Sequence, residues 1–396
     1  MTEMLWQVLH IIDITLWLPM AYSTAYVFVF AMVCLLHKRT PDDDAMVSPT
    51  PSSRFLVLMP AYKEDRVIIS SADTFLGQDY PKELYQLAVI SDHMSEATNA
   101  KLRLRPLQLL TPTFKQGTST KAKALQYAVS KIDTTRFDQI VILDADNVVS
   151  RDFLTLLNHV CQKGYKAIQC HRCAKNSDSN IAVLDGISEE INNTVFRKAH
   201  NYIGLSSALI GSGMCFDARW FSEHADKLST AGEDRELENL LLQQKIFIKY
   251  AAHIPVYDEK VSNQDNFQQQ RLRWMSAQLQ SLLSLLPQLP RAIRSGNINL
   301  IDKTLQQALI PRSILLVGTL FLAVATLLFV PVWSAKWWIL FLILLVSLVI
   351  AIPSQLRSKA VRSHIFILPH LVWKMLTSLH RLDRNNKNFI HTRHNK

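Results

Sequence analysis

The feature that most constrains the fold is a short apolar segment that ends abruptly at two carboxylates. Residues 139–143 are mainly β-branched and apolar, and Asp144-Ala145-Asp146-Asn147 follows directly. This pattern predicts a buried parallel strand, and open α/β sheets bind ligands at the carboxyl ends of such strands. Carboxylate oxygens suit Mg²⁺ or Mn²⁺ that also holds substrate phosphates. An isolated Asp-x-Asp can equally be a polar turn, so other segments must decide between the two.

Three long stretches without a charged residue indicate a membrane protein. Residues 14–36, 314–332 and 337–352 contain no Asp, Glu, Lys or Arg over 23, 19 and 16 positions. The first two are long enough to cross a hydrocarbon core of about 30 Å, whereas the third is short. We predict three transmembrane helices. We do not expect the first to be a cleaved signal peptide, because no Lys or Arg precedes it and its apolar run is too long.

The basic residues that flank these stretches predict the topology. Lys38 and Arg39 follow the first stretch, basic residues from Arg357 onward follow the last, and the segment between the last two carries only Lys336. The positive-inside rule therefore predicts an outer amino terminus and a cytoplasmic middle segment in a multi-pass protein of the plasma or inner membrane. An outer aromatic belt is predicted for Trp333, Trp337 and Trp338.

The formal net charge is +10, which a partner of opposite sign would explain. Anionic lipid beside the cytoplasmic segments is sufficient, and nucleic acid is not expected because zinc-finger spacing, RNA-binding signatures and basic helices are missing from the sequence. Cys170-His171-Arg172-Cys173 has metal-like spacing. Without a second pair it is a weak zinc or redox signal, and we favour ordinary residues at the end of a strand.

Short strands alternate with helices between the apolar stretches. Strands are predicted at 55–59 and 85–90, with a helix over 64–76 between them. Such alternation predicts an α/β domain with a parallel sheet and right-handed crossovers. This is the outline of a nucleotide-binding architecture.

Three later motifs each have a structural and a functional interpretation. Gly211-Ser212-Gly213 fits either tight packing or close backbone approach by a ligand. Gly232-Glu233-Asp234 fits a helix start, where carboxylates interact favourably with the positive end of the macrodipole, or a catalytic pair. Gln270-Arg271-Leu272-Arg273-Trp274 fits an interfacial helix, or a site in which Arg forks onto phosphate and Trp faces a sugar.

Taken in this order, the Asp-Ala-Asp, Glu-Asp and Gln-x-x-Arg-Trp motifs resemble those of membrane-integrated family-2 glycosyltransferases. That group includes the hyaluronan, chitin and cellulose synthases and ceramide glucosyltransferase. The resemblance covers roughly residues 55–280 by motif and the flanking spans by layout. It implies a glycosyltransferase-A fold, that is, a Rossmann-like α/β domain with a mainly parallel sheet.

The resemblance also implies roles on the donor side. The opening loop with Pro60, Ala61 and Glu64 would grip uridine, and Asp92 would pair with the uracil ring. Lys121 matches the cation near the nucleotide, although Gln126 stands where Asn is usual. Asp144 and Asp146 would bind Mg²⁺ or Mn²⁺ together with the diphosphate of a nucleotide sugar.

Acceptor and catalytic roles follow from the same resemblance. The Gly211, Ser212 and Gly213 loop would lie on the acceptor side, and Gln270, Arg273 and Trp274 would bind acceptor, product or diphosphate. An inverting transfer needs a carboxylate to take the proton of the acceptor hydroxyl, and we assign Asp234 as this base. Glu233 is the second catalytic candidate and is expected to orient the loop or touch the acceptor.

The predicted organisation has five parts. They are an amino-terminal transmembrane helix at 1–37, a catalytic domain at 54–274, interfacial amphipathic helices at 275–312, a transmembrane hairpin at 313–353 and an amphipathic cytoplasmic tail at 354–396. The segment 364–382 is open between an interfacial helix and a partial fourth span.

Two enzymatic hypotheses and one non-enzymatic hypothesis remain. The favoured one is inverting transfer from a UDP-sugar to a growing polysaccharide, for which three spans are few unless a membrane or export partner assists. The alternative is transfer of one sugar to a membrane lipid such as ceramide, diacylglycerol or a polyprenyl phosphate. A binding scaffold with a degenerate nucleotide fold is disfavoured because every acidic and basic motif position is filled.

Overall fold

The computed structural model describes residues 2–37, 50, 52–115, 118–230, 232–261, 264–354 and 356–357. Its centre is an eight-stranded sheet in the order β3-β2-β1-β4-β7-β6-β8-β5. The strands are β1 (Phe55–Tyr62), β2 (Tyr85–Asp92), β3 (Gln108–Leu110), β4 (Gln139–Ile142), β5 (Val148–Val149), β6 (Ala167–Ala174), β7 (Met214–Asp217) and β8 (Ile248–Asp258).

Fourteen α-helices surround and extend this sheet within the described residues. They are α1 (Thr2–Leu36), α2 (Ile68–Leu76), α3 (Glu96–Arg103), α4 (Lys121–Lys131), α5 (Phe153–Cys161), α6 (Asn180–Asn192), α7 (Ala199–Tyr202), α8 (Ala218–His224), α9 (Glu233–Gln243), α10 (Gln264–Leu285), α11 (Leu289–Arg294), α12 (Ile298–Gln307), α13 (Arg312–Phe329) and α14 (Pro331–Ala351). A π-helical segment, Asn193–Lys198, joins α6 to α7.

The sheet is mixed and mostly parallel. Strands β3, β2, β1 and β4 are parallel neighbours, β6 is parallel to β8, and β7 lies antiparallel between β4 and β6. The predicted α/β fold of the glycosyltransferase-A type is confirmed.

Alternation along β1 explains why helices cover both faces of the sheet. Leu56 and Leu58 point to one face, where α4 contributes to the core, and Val57 and Met59 point to the other, where Phe75 of α2 packs. Successive side chains of a strand face opposite sides. A strand buried on both faces therefore appears in the sequence as a continuous apolar run, which is the signal that predicted it.

The carboxyl ends of β1 and β2 extend further than predicted. Both strands continue to the pair Tyr62 and Asp92, whereas β4 stops opposite Leu58. Pro60 is tolerated in β1 because no β4 residue pairs with it, so its missing N–H breaks no ladder there. The helix predicted over 64–76 begins only at Ile68, after a left-handed residue at Lys63 (φ 56°).

Within the described residues, three helices are long and apolar enough to cross a membrane, namely α1, α13 and α14. Residues 333–336, which separate the last two uncharged stretches, do not form a loop, because α14 begins at Pro331 and only Val330 separates it from α13. Pro331 suits the first turn of a helix, where its missing N–H costs nothing. The extra turns lengthen the span that looked short in the sequence.

The predicted aromatic belt is wrong for Trp337. Its side chain is fully buried, and its Nε1 donates to Asp13 Oδ1 of α1 at 2.9 Å. Asp13 also forms an ion pair with Lys336. A buried carboxylate in an apolar helix requires such partners, so this end of α14 carries an interhelical polar contact that the sequence patterns did not indicate.

The carboxyl-terminal half of α1 packs against the part of the chain that lies between α1 and α13 and carries the sheet. We call this part the catalytic unit, after the catalytic domain predicted within it. The Tyr26 hydroxyl donates to Asp302 Oδ1 at 2.9 Å and lies 2.9 Å from His200 Nε2, and Phe30 stacks on the His200 ring at 3.9 Å. These contacts join α1, α7 and α12. The catalytic unit therefore packs directly against a candidate membrane helix.

Two expectations for the carboxyl-terminal part meet the structure differently. Helix α10 runs without a break through the proposed domain boundary at 274/275, and α12 buries Lys303, Gln306 and Gln307 against the protein. Whether 275–312 also touches the bilayer interface stays a prediction. The tail segment 364–382 and the basic pair Lys38 and Arg39 lie outside the described residues.

Candidate active site

One cavity of about 550 Å³ opens at the carboxyl ends of β1, β2 and β4. Its lining includes all but two of the candidate site residues that the sequence motifs supplied: Pro60, Ala61, Glu64, Asp92, Lys121, Asp144, Asp146, Gly211, Glu233, Asp234, Gln270, Arg273 and Trp274. Residues separated by more than 200 positions thus meet in one place. The two candidates that do not line the cavity are Ser212 and Gly213.

Asp144 and Asp146 lie in a tight turn directly after β4. The Asn147 amide donates to Asp144 O at 3.1 Å, and Asp144 N donates to Asn147 Oδ1 at 2.9 Å. Asp146 Oδ2 accepts from the Glu259 amide at 3.0 Å. The turn interpretation is therefore correct, and the functional interpretation stays a prediction that is compatible with it, because the turn directs both carboxylates to the cavity.

Lys121, the first residue of α4, lies among these acids. Its Nζ pairs with Asp144, donates to Gly211 O, and is 3.6 Å from Glu233 Oε1. Burial alone would lower the pKa of Lys121, but the carboxylates of Asp144, Glu233 and Asp234 outweigh it and raise the pKa. The ammonium stays charged and links the Asp-x-Asp turn to α9.

One end of the cavity is formed where β1 and β2 end. Asp92 is buried, and its Oδ1 lies 2.6 Å from His93 Nδ1. The Lys63 amide donates to Asp92 O at 3.1 Å, so the loop after β1 is fixed to the end of β2. Sequence analysis missed His93, which carries a left-handed φ of 55°.

Glu233 and Asp234 are the first two residues of α9, and no side chain caps this helix start. Glu233 is buried, whereas Asp234 is half-buried and its Oδ1 accepts from the Arg235 amide at 2.8 Å. Burial raises the pKa of Glu233 to about 7, against the opposing effect of Lys121 and with a further rise from Asp234. The two neighbouring carboxyls thus differ in environment and can take different roles.

The two glycines of the Gly-Ser-Gly segment serve different purposes. A Cβ on Gly211 would lie 3.7 Å from both Asp234 Oδ2 and Glu233 Oε1, whereas a Cβ on Gly213 would come within 3.0 Å of Val256 Cγ2. Both have positive φ. Gly211 therefore keeps space free beside the acids, and Gly213 allows strand packing. Ser212 Oγ accepts from the Asp144 amide at 3.1 Å and supports the Asp-x-Asp turn.

Helix α10 brings the Gln-x-x-Arg-Trp residues to the opposite wall. Burial lowers the pKa of Arg273, and the carboxylates of Glu233, Asp234 and Asp144 oppose this shift. Arg271 pairs with Asp185 at 2.6 Å and lies 4.8 Å from the ring centres of Phe267 and Trp274. Gln270 Oε1 is buried without a hydrogen-bond partner. This helix therefore presents cations and an aromatic ring to the acids of α9.

The donor set at the Asp-x-Asp turn fits a hard divalent ion. Asp144 and Asp146 both line the cavity and offer only oxygen ligands, which Mg²⁺ and Mn²⁺ prefer. Two carboxylates are too few for a complete coordination shell, so substrate phosphate and water would supply the rest. This is the usual arrangement for an ion that serves a diphosphate.

The two cysteines with metal-like spacing do not act together. Cys170 lies in β6 and its side chain is buried in the core. Cys173 lies near His171 and Glu190, and the ligand atoms of these three residues are within 4.8 Å of one another. His171 already bonds Tyr250 through Nδ1 at 2.5 Å and Glu190 through Nε2 at 3.2 Å. These partners account for the polar group without an ion.

The sequence motifs did not indicate the charged wall on the membrane side of the cavity, that is, the side that adjoins the candidate membrane helices. Arg172 pairs with Asp258 at 2.7 Å, Lys260 with Asp258 at 3.0 Å, and Arg197 with Glu189 at 2.9 Å. These residues are scattered over β6, β8, the segment after β8 and the helices after β6. The only available signal was their charge, which is uninformative before the chain is folded.

A mixed, mostly parallel sheet with paired carboxylates at its ligand-binding edge and a buried lysine between them defines a glycosyltransferase-A-like enzyme. The comparison with family models agrees. Residues 51–277, more than half of the chain, match the model described as "Glycosyltransferase like family 2". The chain belongs to this family and is a glycosyltransferase. Among curated proteins, none matches the sequence.

Solved structures show the same fold at low identity. A mannosyltransferase, PcManGT from Pyrobaculum calidifontis in complex with GDP-Man and Mn²⁺, is 18% identical, with 83% of this chain and 98% of that chain covered and a TM-score of 0.50. TarS from S. aureus in complex with UDP-GlcNAc is 12% identical, with 83% and 89% covered and a TM-score of 0.42. The similarity to the mannosyltransferase concerns the fold alone.

Proposed function

We propose that this protein transfers a sugar, with inversion, from a nucleotide diphosphate sugar to an acceptor at the membrane, with a UDP-sugar as the favoured donor and Mg²⁺ or Mn²⁺ as cofactor. The carrying observation is that Lys121, the Asp144–Asp146 turn and the Glu233–Asp234 pair meet in one cavity. The similar mannosyltransferase structure likewise contains a nucleotide sugar, GDP-Man, together with Mn²⁺.

The donor would bind between the ends of β1 and β2 and the turn after β4. Asp92 would take the base, and Pro60, Ala61 and Glu64 would shape the pocket around it. Lys121 would neutralise charge on the diphosphate, and Asp144 and Asp146 would hold the ion. When bound, the divalent ion supplies positive charge against the departing diphosphate.

Asp234 is the proposed base. It is the less buried of the two acids and lies beside the open space that Gly211 leaves. The acceptor hydroxyl gives its proton to Asp234 as its oxygen bonds to the anomeric carbon. The bond from that carbon to the diphosphate oxygen breaks, and the nucleoside diphosphate leaves with the electron pair. Attack opposite the leaving group converts an α-linked donor into a β-glycoside.

We propose a membrane lipid as the acceptor. The same cavity that holds the acids is also lined by Val27 of α1, by Phe196 and by Ile310 before α13, so its apolar end adjoins two candidate membrane helices. Polysaccharide synthesis remains the competing hypothesis. Polymer export would need a passage between spans, whereas in the described helices α1 and α14 are joined through the buried Trp337 and Asp13.

The test is a transfer assay with the full chain in detergent. A panel of labelled UDP- and GDP-sugars would be supplied with Mn²⁺ and a lipid extract, and the product would be sized by chromatography and mass spectrometry. We expect lipid carrying a single added sugar. Polymeric product would replace the lipid hypothesis with the polysaccharide one. Failure to hydrolyse or transfer any nucleotide sugar would overturn the proposed activity.

Asp146→Asn is the variant that tests the metal site. It removes an anionic ligand for a hard cation, so we expect loss of transfer and weaker nucleotide binding in Mn²⁺, with little change in EDTA. Asp226→Asn, an exposed acid, is the control and should behave as the unaltered protein. Full Mn²⁺-dependent activity in Asp146→Asn would remove the ion from this turn.

A further inference from the structure

The membrane side of the cavity holds arginine groups that the protein does not fully satisfy. Arg312 Nη2 donates to Asn192 Oδ1 at 2.7 Å and to Ser188 O at 3.1 Å, but its Nη1 is buried without a partner. Arg271 pairs with Asp185 through Nη2, and its Nε is likewise buried and unpartnered. Buried donors without acceptors destabilise a protein, so such a pair requires an explanation.

Charge along this wall is unbalanced in the same direction. Among the described residues, five cationic side chains form it and three carboxylates are their ion-pair partners: Arg172, Arg197, Lys260, Arg271 and Arg312, with Asp185, Glu189 and Asp258. Arg312 is the member with neutral partners only among the described residues. Arg312 therefore has no carboxylate among its hydrogen-bond partners, and a bound anion would supply a partner of opposite charge.

The position of Arg312 determines which anions can reach it. It is the first residue of α13, an 18-residue helix that follows Pro311 and has no side-chain cap. The free amides of a helix start attract anions. Because α13 is a candidate membrane span, its first residue falls at the depth of lipid headgroups, beside the apolar residues Phe196 and Ile310 of the cavity.

We infer that Arg312, assisted by Arg271, binds a phosphate group of the acceptor, and that the acceptor is an anionic lipid whose phosphate joins its apolar tail to a hydroxylated headgroup. This rests on the proposed function, and it narrows the acceptor class. The guanidinium fork matches phosphate oxygens in a way that an ammonium does not. The headgroup beyond the phosphate extends toward Asp234, and the tail leaves past Phe196.

The binding test uses two lipids with matched acyl chains and the full chain in a maltoside detergent, which is free of phosphate. Phosphatidylinositol carries a phosphate and a hydroxylated ring, whereas a glucosyl diacylglycerol carries the ring alone. We expect the unaltered protein to bind phosphatidylinositol at least about 10-fold more tightly, as a charge-assisted hydrogen bond provides. Equal affinity for the two lipids overturns the inference, whatever any variant does.

Arg312→Gln should abolish that preference and leave binding of the glucosyl lipid and of UDP unchanged. Arg312→Lys should recover only part of it, because the fork is lost. Arg291→Gln, an exposed arginine in α11, is the matched control and should retain the preference. Unchanged phosphatidylinositol binding in a folded Arg312→Gln protein, judged by its UDP affinity, counts against the inference.

Inorganic phosphate separates a lipid site from a site for the free ion. We expect it to compete with phosphatidylinositol only weakly, and competition at an equal concentration would overturn a lipid site. Sugar transfer is scored separately. Transfer to phosphatidylinositol that is indifferent to Arg312→Gln rejects the inference and leaves the proposed function standing. Tight phosphatidylinositol binding without transfer from any nucleotide sugar does the reverse.

Discussion

At the scale of single residues, the site depends on two adjacent carboxyls in unlike surroundings. Glu233 is buried beside Lys121, whereas Asp234 borders the space left by Gly211. Both motif positions were visible in the sequence, but adjacency on the chain says nothing about which side chain is desolvated. The Arg273 guanidinium of α10 interacts electrostatically with both acids, a contact that the sequence could not show either.

Replacement of Asp234 should separate chemistry from binding. Asp234→Asn keeps the shape of the side chain and suits a helix start, so we expect normal UDP affinity and a loss of about 10² to 10⁴ in turnover, the usual effect of removing a positioned base. Titration calorimetry with UDP, beside turnover, would check it. Near-normal turnover in Asp234→Asn together with an inactive Glu233→Gln would exchange the two roles.

The pKa of Glu233 predicts a pH effect on stability. Burial raises this pKa to about 7 from 4.5, so between these values the native state holds a proton that the unfolded state has lost, and stability falls as pH rises through the window. Glu233→Gln cannot ionise, so its Tm should gain on that of the unaltered protein between about pH 5 and about pH 8.

Scanning fluorimetry without divalent ions would measure this difference. Glu83→Gln, an exposed acid in the segment before β2, should track the unaltered protein across the whole range. A constant offset between Glu233→Gln and the unaltered protein would show that Glu233 does not titrate in this window.

At the scale of elements, α1 combines a membrane span with part of the support for the catalytic unit. Its carboxyl-terminal half packs through Tyr26 and Phe30 against His200, and its amino-terminal half places Asp13 against α14. A hydrophobic profile cannot distinguish these halves, because both are apolar. What distinguishes them is which neighbour each residue meets.

The Asp13 and Lys336 pair should be strongly coupled. Either Asp13→Asn or Lys336→Met leaves a charge without its partner in apolar surroundings, so each single variant should lower the free energy of unfolding by about 1–3 kcal/mol. The double variant should cost less than the sum, because no unpaired charge remains. Unfolding in detergent would measure the cycle, and strict additivity would contradict the pairing.

At the scale of the whole molecule, the contacts of α1 and the charge pattern predict one topology. The catalytic unit packs on the end of α1 that precedes the basic pair, and the α13–α14 turn lies at the opposite side. The positive-inside rule then makes the catalytic unit cytoplasmic and the turn external. The enzyme would draw its donor from the cytoplasm and its acceptor from the inner leaflet.

Cysteine labelling in intact cells would check this topology. In a background lacking Cys34 and Cys173, the two cysteines that are not fully buried, a membrane-impermeant maleimide should label Val332→Cys at the turn, where the side chain is 88% exposed. Lys101→Cys, exposed on the catalytic unit, should react only after lysis. Labelling in the opposite sense would invert the orientation.

The amino-acid sequence by itself determined the α/β class, the three apolar helices and the Asp144–Asp146 turn, because each is encoded in a short window by periodicity, uncharged length or a polar stop after a strand. It also supplied the individual motifs of the cavity wall. The tertiary structure alone decided that Gly213 serves packing while Gly211 borders the acids, that Trp337 is buried against Asp13, and that Arg312 joins Arg271 at the cavity. Each of these depends on a partner hundreds of residues away or on another element, and no local pattern records what a side chain will meet once distant elements pack together.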